Sequence, residues 1–235
     1  MSRTPLTRRE RQVRRMFDRL SGRYDLMNRL ISLGQDLRWR RILLRRVGIK
    51  PHGRLLDVGT GTGRIPVEAL KCCPTLDVTA IDFSFHMMRQ GQKLSGDRRI
   101  RWCAGDALNL PFPNASFDAV SSAYLMRNVS DPRRAFEEQL RVVRAGGLVG
   151  CLETSPPTRT LLYPLVMFHL RAVIPFLGRL IGREAGAYTY LPDTTRAFMS
   201  PENLAATMKD AGLQKIFYRT YMFGVMAIHV ARRPT

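Results

Sequence analysis

The stretch Leu55-Leu56-Asp57-Val58-Gly59-Thr60-Gly61-Thr62-Gly63 constrains this chain more than any other. A short apolar run ends in an acid and passes directly into three glycines at alternate positions. A strand-to-loop turn of this kind lets the backbone approach a ligand where any side chain would block it. A second apolar run, Val78-Thr79-Ala80-Ile81, ends in Asp82, 25 residues after Asp57. That spacing suits the tip of the next parallel strand, where a carboxylate can accept both hydroxyls of a ribose.

The rest of the chain alternates in the same way. The hydrophobic pattern predicts strands at 54–58, 77–82, 100–103, 117–123, 147–153, 214–220 and 224–231. Helices are expected near 64–71, 84–94, 132–144 and 201–211, the last opened by Ser200-Pro201-Glu202. Strand–helix alternation implies a mostly parallel sheet with helices on both faces and a ligand site at the strands' carboxyl ends. The final two strands are close enough to form an antiparallel hairpin around Met222-Phe223-Gly224. Before the glycine loop, residues 6–21, 24–33 and 36–47 carry apolar residues at helical spacing among arginines. Residues 1–50 are therefore expected to form a basic helical cap, and 51–235 the main domain. The apolar run 160–182 contains two prolines, His169, Arg171 and Arg179, so it is a poor membrane span. It suits a helical insertion near 160–195 that lines an apolar pocket, dips into lipid, or packs as an ordinary core pair.

Charge adds a constraint. The net charge is +19, from 38 basic residues, and the first 50 residues hold 15 basic against 4 acidic side chains. A basic arm suits a polyanion, either an anionic membrane surface or a nucleic acid, unless it is only a solvated arginine-rich face. The four cysteines (Cys72, Cys73, Cys103 and Cys151) lack metal-ligand spacing and suit reduced thiols, so no metal is expected. No apolar signal-peptide core forms near the N-terminus.

The Gly-x-Gly-x-Gly loop lacks the spacing of a dinucleotide loop and resembles the S-adenosylmethionine (SAM) site of class I methyltransferases. Gly105-Asp106-Ala107 follows the third strand, where an acid can accept from the adenine amine and small neighbours leave room for the ring. After the fourth strand stands Ser122-Ala123-Tyr124-Leu125-Met126-Arg127-Asn128. The (Asp/Asn)-Pro-Pro-(Tyr/Phe) turn of base-amino methylases is absent there, and so is a cysteine that could attack a pyrimidine; no nucleic-acid partner is expected.

Along nearly its whole length the chain resembles the menaquinone/ubiquinone biosynthesis C-methyltransferases. The matching segments include Met16-Phe17-Asp18, Tyr24-Asp25-Leu26-Met27-Asn28, Trp39-Arg40, Leu110-Pro111-Phe112, Arg127-Asn128-Val129, Arg141-Val142-Val143, Glu153-Thr154-Ser155 and Ala187-Tyr188-Thr189-Tyr190-Leu191-Pro192. The resemblance implies a Rossmann-like class I methyltransferase: a seven-stranded, mostly parallel α/β sheet with an antiparallel C-terminal hairpin. It implies SAM as cofactor, with Thr62, Asp82, Asp106 and Ala107 as contacts beside Asp57, Gly59 and Gly61. It implies a polyprenyl quinol substrate, methylated at a ring carbon. Demethylmenaquinol is preferred over 2-methoxy-6-polyprenyl-1,4-benzoquinol because the sequence starts almost directly at the Phe-Asp helix. Arg127 is expected to stabilise the developing phenolate, or else to sit in a structural salt bridge; Asn128 would orient the oxygen. Glu153, Tyr188 or Tyr190 would serve as base, whereas His86, His169 and His229 are not expected to. Peripheral attachment to the inner face of the cell membrane, from the cytoplasm, is expected, and a homodimer is left open. Arg64, Ala123 and Thr154 depart from the family's usual Asp, Ser and Phe, the first two near the cofactor. The rival readings are another small-molecule or lipid methyltransferase, an RNA methyltransferase, and a non-catalytic SAM-binding scaffold subunit.

Overall fold

A computed structural model describes residues 28–29, 32, 34–157, 163–173, 176 and 198–235. The helix expected over 6–21, most of that over 24–33, Tyr188, Tyr190 and most of the 160–195 insertion lie outside the described residues. In chain order the elements are α1 (Asp36–Arg46), β1 (Arg54–Val58), α2 (Arg64–Cys72), β2 (Asp77–Asp82), α3 (Phe85–Ser95), β3 (Ile100–Ala104), β4 (Phe117–Ala123), α4 (Pro132–Val142) and β5 (Val143–Thr154). They continue with α5 (Tyr163–Phe168), a π-helical turn (His169–Val173), α6 (Pro201–Asp210), β6 (Gln214–Tyr221) and β7 (Met226–Arg232).

Seven strands form one sheet in the order β3-β2-β1-β4-β5-β7-β6. The pairs from β3 to β5 are parallel, while β7 runs antiparallel to both β5 and β6. Chain order reverses on either side of β1, which makes the β1/β4 boundary the switch point where a ligand crevice opens. The two-residue period of the strands assigns alternate side chains to opposite cores. Leu55, Val78, Ala119 and Leu152 join Trp39, Leu43 and Leu44 of α1 and Ile65 and Ala69 of α2. Leu56, Ile81, Val120 and Cys151 join Phe136 of α4 and Leu204 and Met208 of α6. The sheet is thus covered on both faces.

Helix starts follow local chemistry. Asp131 accepts from the Arg134 amide, with Pro132 next in line, and Ser84 and Ser200 cap α3 and α6 in the same way. Around 143 the structure departs from the expected pattern. α4 stops at Val142, and β5 starts at once rather than at 147. Val143 pairs with Phe117, and the Arg233 amide donates to the Gly147 carbonyl, so strand pairing claims residues whose sequence resembles a helix end and loop.

Candidate active site

The carboxyl ends of β1 to β4 open onto a trough made of two adjoining cavities that share Gly59, Asp82, Phe83, Leu125 and Asn128. All seven residues expected to hold a cofactor line it. Asp57, Gly61 and Thr62 line the first cavity, Asp106 and Ala107 the second, and Gly59 and Asp82 both.

The glycine loop is shaped by contacts that only hydrogen tolerates. Gly59 has φ +69, and a Cβ there would stand 2.7 Å from Leu125 Cδ1 on the facing wall. Gly63 has φ +75 and abuts the Trp102 ring, so a Cβ would overlap it. Gly63 opens α2 without a side-chain cap, leaving the helix's first amides facing the loop.

Asp82 fastens the loop to the next strand. Its Oδ2 accepts the Gly61 amide at 2.7 Å and its Oδ1 accepts the Ser84 amide at 2.8 Å. A carboxylate at this strand tip is the group that can accept ribose hydroxyls. Asp57 lies deeper, 2% exposed, and accepts the Ser121 hydroxyl at 2.8 Å. Burial pushes its pKa up to about 7, against the Ser121 hydrogen bond, the nearby Thr60 and the charge of Arg40. Asp106 is held at the trough edge by accepting the Leu108 amide at 2.9 Å. The Leu110–Phe112 turn beyond it is clamped by Arg141, which donates to the Leu110 and Phe112 carbonyls and pairs with Glu138.

The wall facing the glycine loop is built by the turn after β4. Tyr124 holds φ +59 and donates its amide to the Leu152 carbonyl. Asn128 Nδ2 donates back to the Tyr124 carbonyl at 2.7 Å. Arg127 and Glu153 do not line either cavity but form a dry ion pair one layer back, 2.6 Å apart with side chains 3% and 0% exposed. Glu153 Oε1 also accepts the Thr154 amide at 2.8 Å, and Arg127 donates to the Thr154 hydroxyl at 3.1 Å. The salt bridge considered for Arg127 from sequence is therefore present. The Arg127 guanidinium also stands 5.3 Å from the centre of the Tyr124 ring.

This trough fits SAM on its own geometry, with acids at successive strand tips, a loop open to close backbone approach, and small Ala107 beside Asp106. A model of the ubiE/COQ5 methyltransferase family matches residues 6–233. The chain belongs to that family. Among its relatives, the ubiquinone/menaquinone biosynthesis C-methyltransferase UbiE of Desulfotalea psychrophila is 41% identical over 217 residues, 92% of this chain and 88% of that one. The demethylmenaquinone methyltransferase of a Roseiflexus species is 41% identical over 225 residues, covering 96% and 94%. That of Thermus thermophilus is 40% identical over 221 residues, covering 93% and 100%. Two solved structures share the fold. The [4+2]-cyclase SpnF superposes with TM-score 0.72 at 18% identity over the whole of both chains. Haemonchus contortus phosphoethanolamine N-methyltransferase 2, in complex with SAM, gives 0.63 at 17% identity, covering 84% of this chain and 53% of that one.

The protein is thus a SAM-dependent methyltransferase, and its departures from the family pattern can be placed. Arg64 and Ala123 line the first cavity, whereas Thr154 takes part in the Arg127–Glu153 cluster. His229, not expected as a base, is buried, accepts no role in the trough lining, and is pinned to the Pro201 carbonyl at 2.8 Å; burial holds its pKa down. Residues not expected from sequence are Ser121, which holds Asp57, and Arg40, which reaches the trough from α1. Trp39-Arg40 was visible as a family segment, but nothing local to it signals a buried guanidinium. Among the described residues no group of His, Cys, Asp and Glu is arranged to hold a metal.

Proposed function

We propose that this methyltransferase methylates a ring carbon of a polyprenylated quinol in respiratory quinone biosynthesis, with demethylmenaquinol as the acceptor. The observation that carries the reading is the set of relatives about 40% identical over most of both chains, two of those above being named demethylmenaquinone methyltransferases. A relative named for both pathways keeps the methoxybenzoquinol as a second acceptor to be tested.

SAM supplies an electrophilic methyl group on a sulfonium. The chain's task is to hold the acceptor carbon in line with that methyl and to favour the phenolate, which makes the carbon nucleophilic. Asp57, Asp82, Asp106 and the glycine loop bind the cofactor side. On the acceptor side, Asn128, on the trough wall, orients the phenolate oxygen, and Arg127, one layer behind it, favours the phenolate by its charge rather than by contact. Glu153, already engaged by Arg127 and Thr154, acts as a positioning residue for the guanidinium. Tyr188 or Tyr190 remains the candidate to receive the ring proton.

The same reading includes peripheral membrane attachment, which a polyprenylated acceptor requires. It is supported by the excess of basic residues in the first 50 positions and by the exposed Leu165, Phe168 and Phe176. Among the described residues no helix is long and apolar enough to cross a membrane.

The deciding experiment is methyl transfer from labelled SAM to chemically reduced demethylmenaquinone, beside the methoxybenzoquinol and both oxidised quinones. Product from the reduced naphthoquinol is expected and none from the oxidised rings. No product from either quinol, with SAM binding intact, refutes the acceptor and favours the scaffold reading. For Arg127, the double replacement Arg127→Met/Glu153→Met removes the pair without stranding one buried charge. It should lower kcat by about 100-fold or more while SAM affinity stays within a few-fold; near-normal turnover would remove Arg127 from the mechanism.

A further inference from the structure

Arg40 is a buried cation whose hydrogen-bonding capacity is not fully met. Its side chain is 6% exposed, yet Nε has no hydrogen-bond partner among the described residues. The neighbouring carboxylate, Asp36 on the same helix, is 3.8 Å away, too far for a hydrogen bond, and its own Oδ1 is also unpartnered. Over the guanidinium lies the Tyr124 ring, 5.1 Å from Cζ, which supplies polarisability but no acceptor. A guanidinium carries five donors, and burying even one of them unsatisfied is costly. The group nevertheless lines the first cavity beside Asp57, Gly59 and Thr60.

The cavity therefore holds opposite charges at close quarters. Asp57 and Asp82 are carboxylates that line it, and Arg40 is the buried cation whose charge acts on Asp57. The uncapped amino end of α2 adds partial positive charge from the adjoining loop. A ligand that satisfies this end of the trough needs an anionic oxygen pair for Arg40 and a cation for Asp57. In SAM the sulfonium and the ammonium are positive, and the α-carboxylate is the one anionic group. We propose that Arg40 binds the α-carboxylate of the methionine moiety of SAM, bidentate or through Nε and one terminal nitrogen, opposite the ammonium at Asp57. The proposal rests on the SAM reading of the trough but not on the identity of the methyl acceptor. It makes α1, which precedes the sheet domain, part of the cofactor site.

The test compares two ligands that differ by that carboxylate. One is S-adenosylhomocysteine; the other is its decarboxylated analogue, adenosine carrying a 3-aminopropylthio group at the 5′ position. Calorimetric binding is measured for the wild type, Arg40→Met and Arg40→Lys. A charge-assisted, fork-shaped contact gives a wild-type preference for the carboxylate ligand of about 10- to 100-fold. Arg40→Met should bring the two ligands within about threefold by weakening S-adenosylhomocysteine alone. Arg40→Lys, which keeps the charge but not the fork, should fall between. Unchanged binding of the decarboxylated analogue shows that the variant is folded. The proposal is overturned if both ligands weaken in parallel or if the preference survives Arg40→Met. If the wild type binds neither ligand, the SAM reading falls and this one with it, whatever the acceptor.

Discussion

Asp57→Asn separates what the buried acid costs the fold from what it gives the ligand. The carboxylate is fully enclosed, and burial lifts its pKa from 3.8 to about 7, with Thr60, Ser121 and Arg40 opposing the rise. The folded protein thus holds a proton on Asp57 that the unfolded chain has lost, between pH of about 4 and 7. Stability must fall as pH rises through that window and level off above it. Roughly three units at about 1.36 kcal/mol each set a ceiling near 4 kcal/mol on the penalty at pH 8. Interiors relax around charges, so about 1–3 kcal/mol is the expected measured value. Asparagine has nearly the same shape, keeps an oxygen for the Ser121 hydroxyl, and carries no charge. Urea unfolding across pH 4 to 8 should show Asp57→Asn more stable than wild type at pH 8, with the gap closing as pH falls toward 4. S-adenosylhomocysteine should bind the variant about 10- to 100-fold more weakly at pH 8, because the ammonium loses its counter-charge. A variant less stable than wild type at pH 8, or two proteins with the same pH slope, would refute the reasoning.

Three further outcomes follow from the same geometry. Asp82→Asn turns an amide nitrogen toward either the Gly61 or the Ser84 N–H, so S-adenosylhomocysteine affinity should fall at least tenfold by calorimetry. Gly63→Ala meets both a positive φ and the Trp102 ring, so it should lower Tm and weaken cofactor binding; adding Trp102→Leu should restore part of the stability but not the roughly 1 kcal/mol due to backbone strain. Arg141→Ala should cost about 2–4 kcal/mol in urea unfolding, since it removes donors to the Leu110 and Phe112 carbonyls and a partner of buried Glu138.

Much of this architecture is legible in the sequence because its signals are local. β1, β2 and β4 begin and end at the expected residues, their apolar runs bounded by acids, glycines or a turn. The acids that line the trough stand at strand tips, so alternation alone brings them to one edge. β5 was legible only in part. Arg144-Ala145-Gly146-Gly147 carries no strand signal; it bulges, with Gly146 at φ +71, between the β4 pairings of Val143 and Leu148, and is tied to the returning chain at Arg233. Arg40 was not legible as a site residue for a similar reason. On α1 it is one arginine among several at an amphipathic position, and only the packing of Trp39, Leu43 and Leu44 against the sheet turns it inward. Ser121 is likewise one small residue in an apolar strand until β4 pairs beside Asp57.

The division between legible and hidden residues follows the division of labour in the site. Solved proteins titled a [4+2]-cyclase and a phosphoethanolamine N-methyltransferase share this fold below 20% identity. The sheet and its glycine loop therefore do not determine the chemistry, and whatever does must be attached to them. In this chain the attachments within the described residues are α1 and the turn from Tyr124 to Asn128. They meet at one ring: the guanidinium of Arg40 lies 5.1 Å from the centre of Tyr124 and that of Arg127 lies 5.3 Å from it. Tyr124 is held in a left-handed conformation that a non-glycine residue adopts only when its surroundings fix it, here the Leu152 carbonyl, the Asn128 amide and the two cations. That strained tyrosine stands between the arginine proposed for the cofactor and the arginine proposed for the acceptor. Moving either arginine should therefore be felt across the trough, whereas substitutions confined to the far face of the sheet should not.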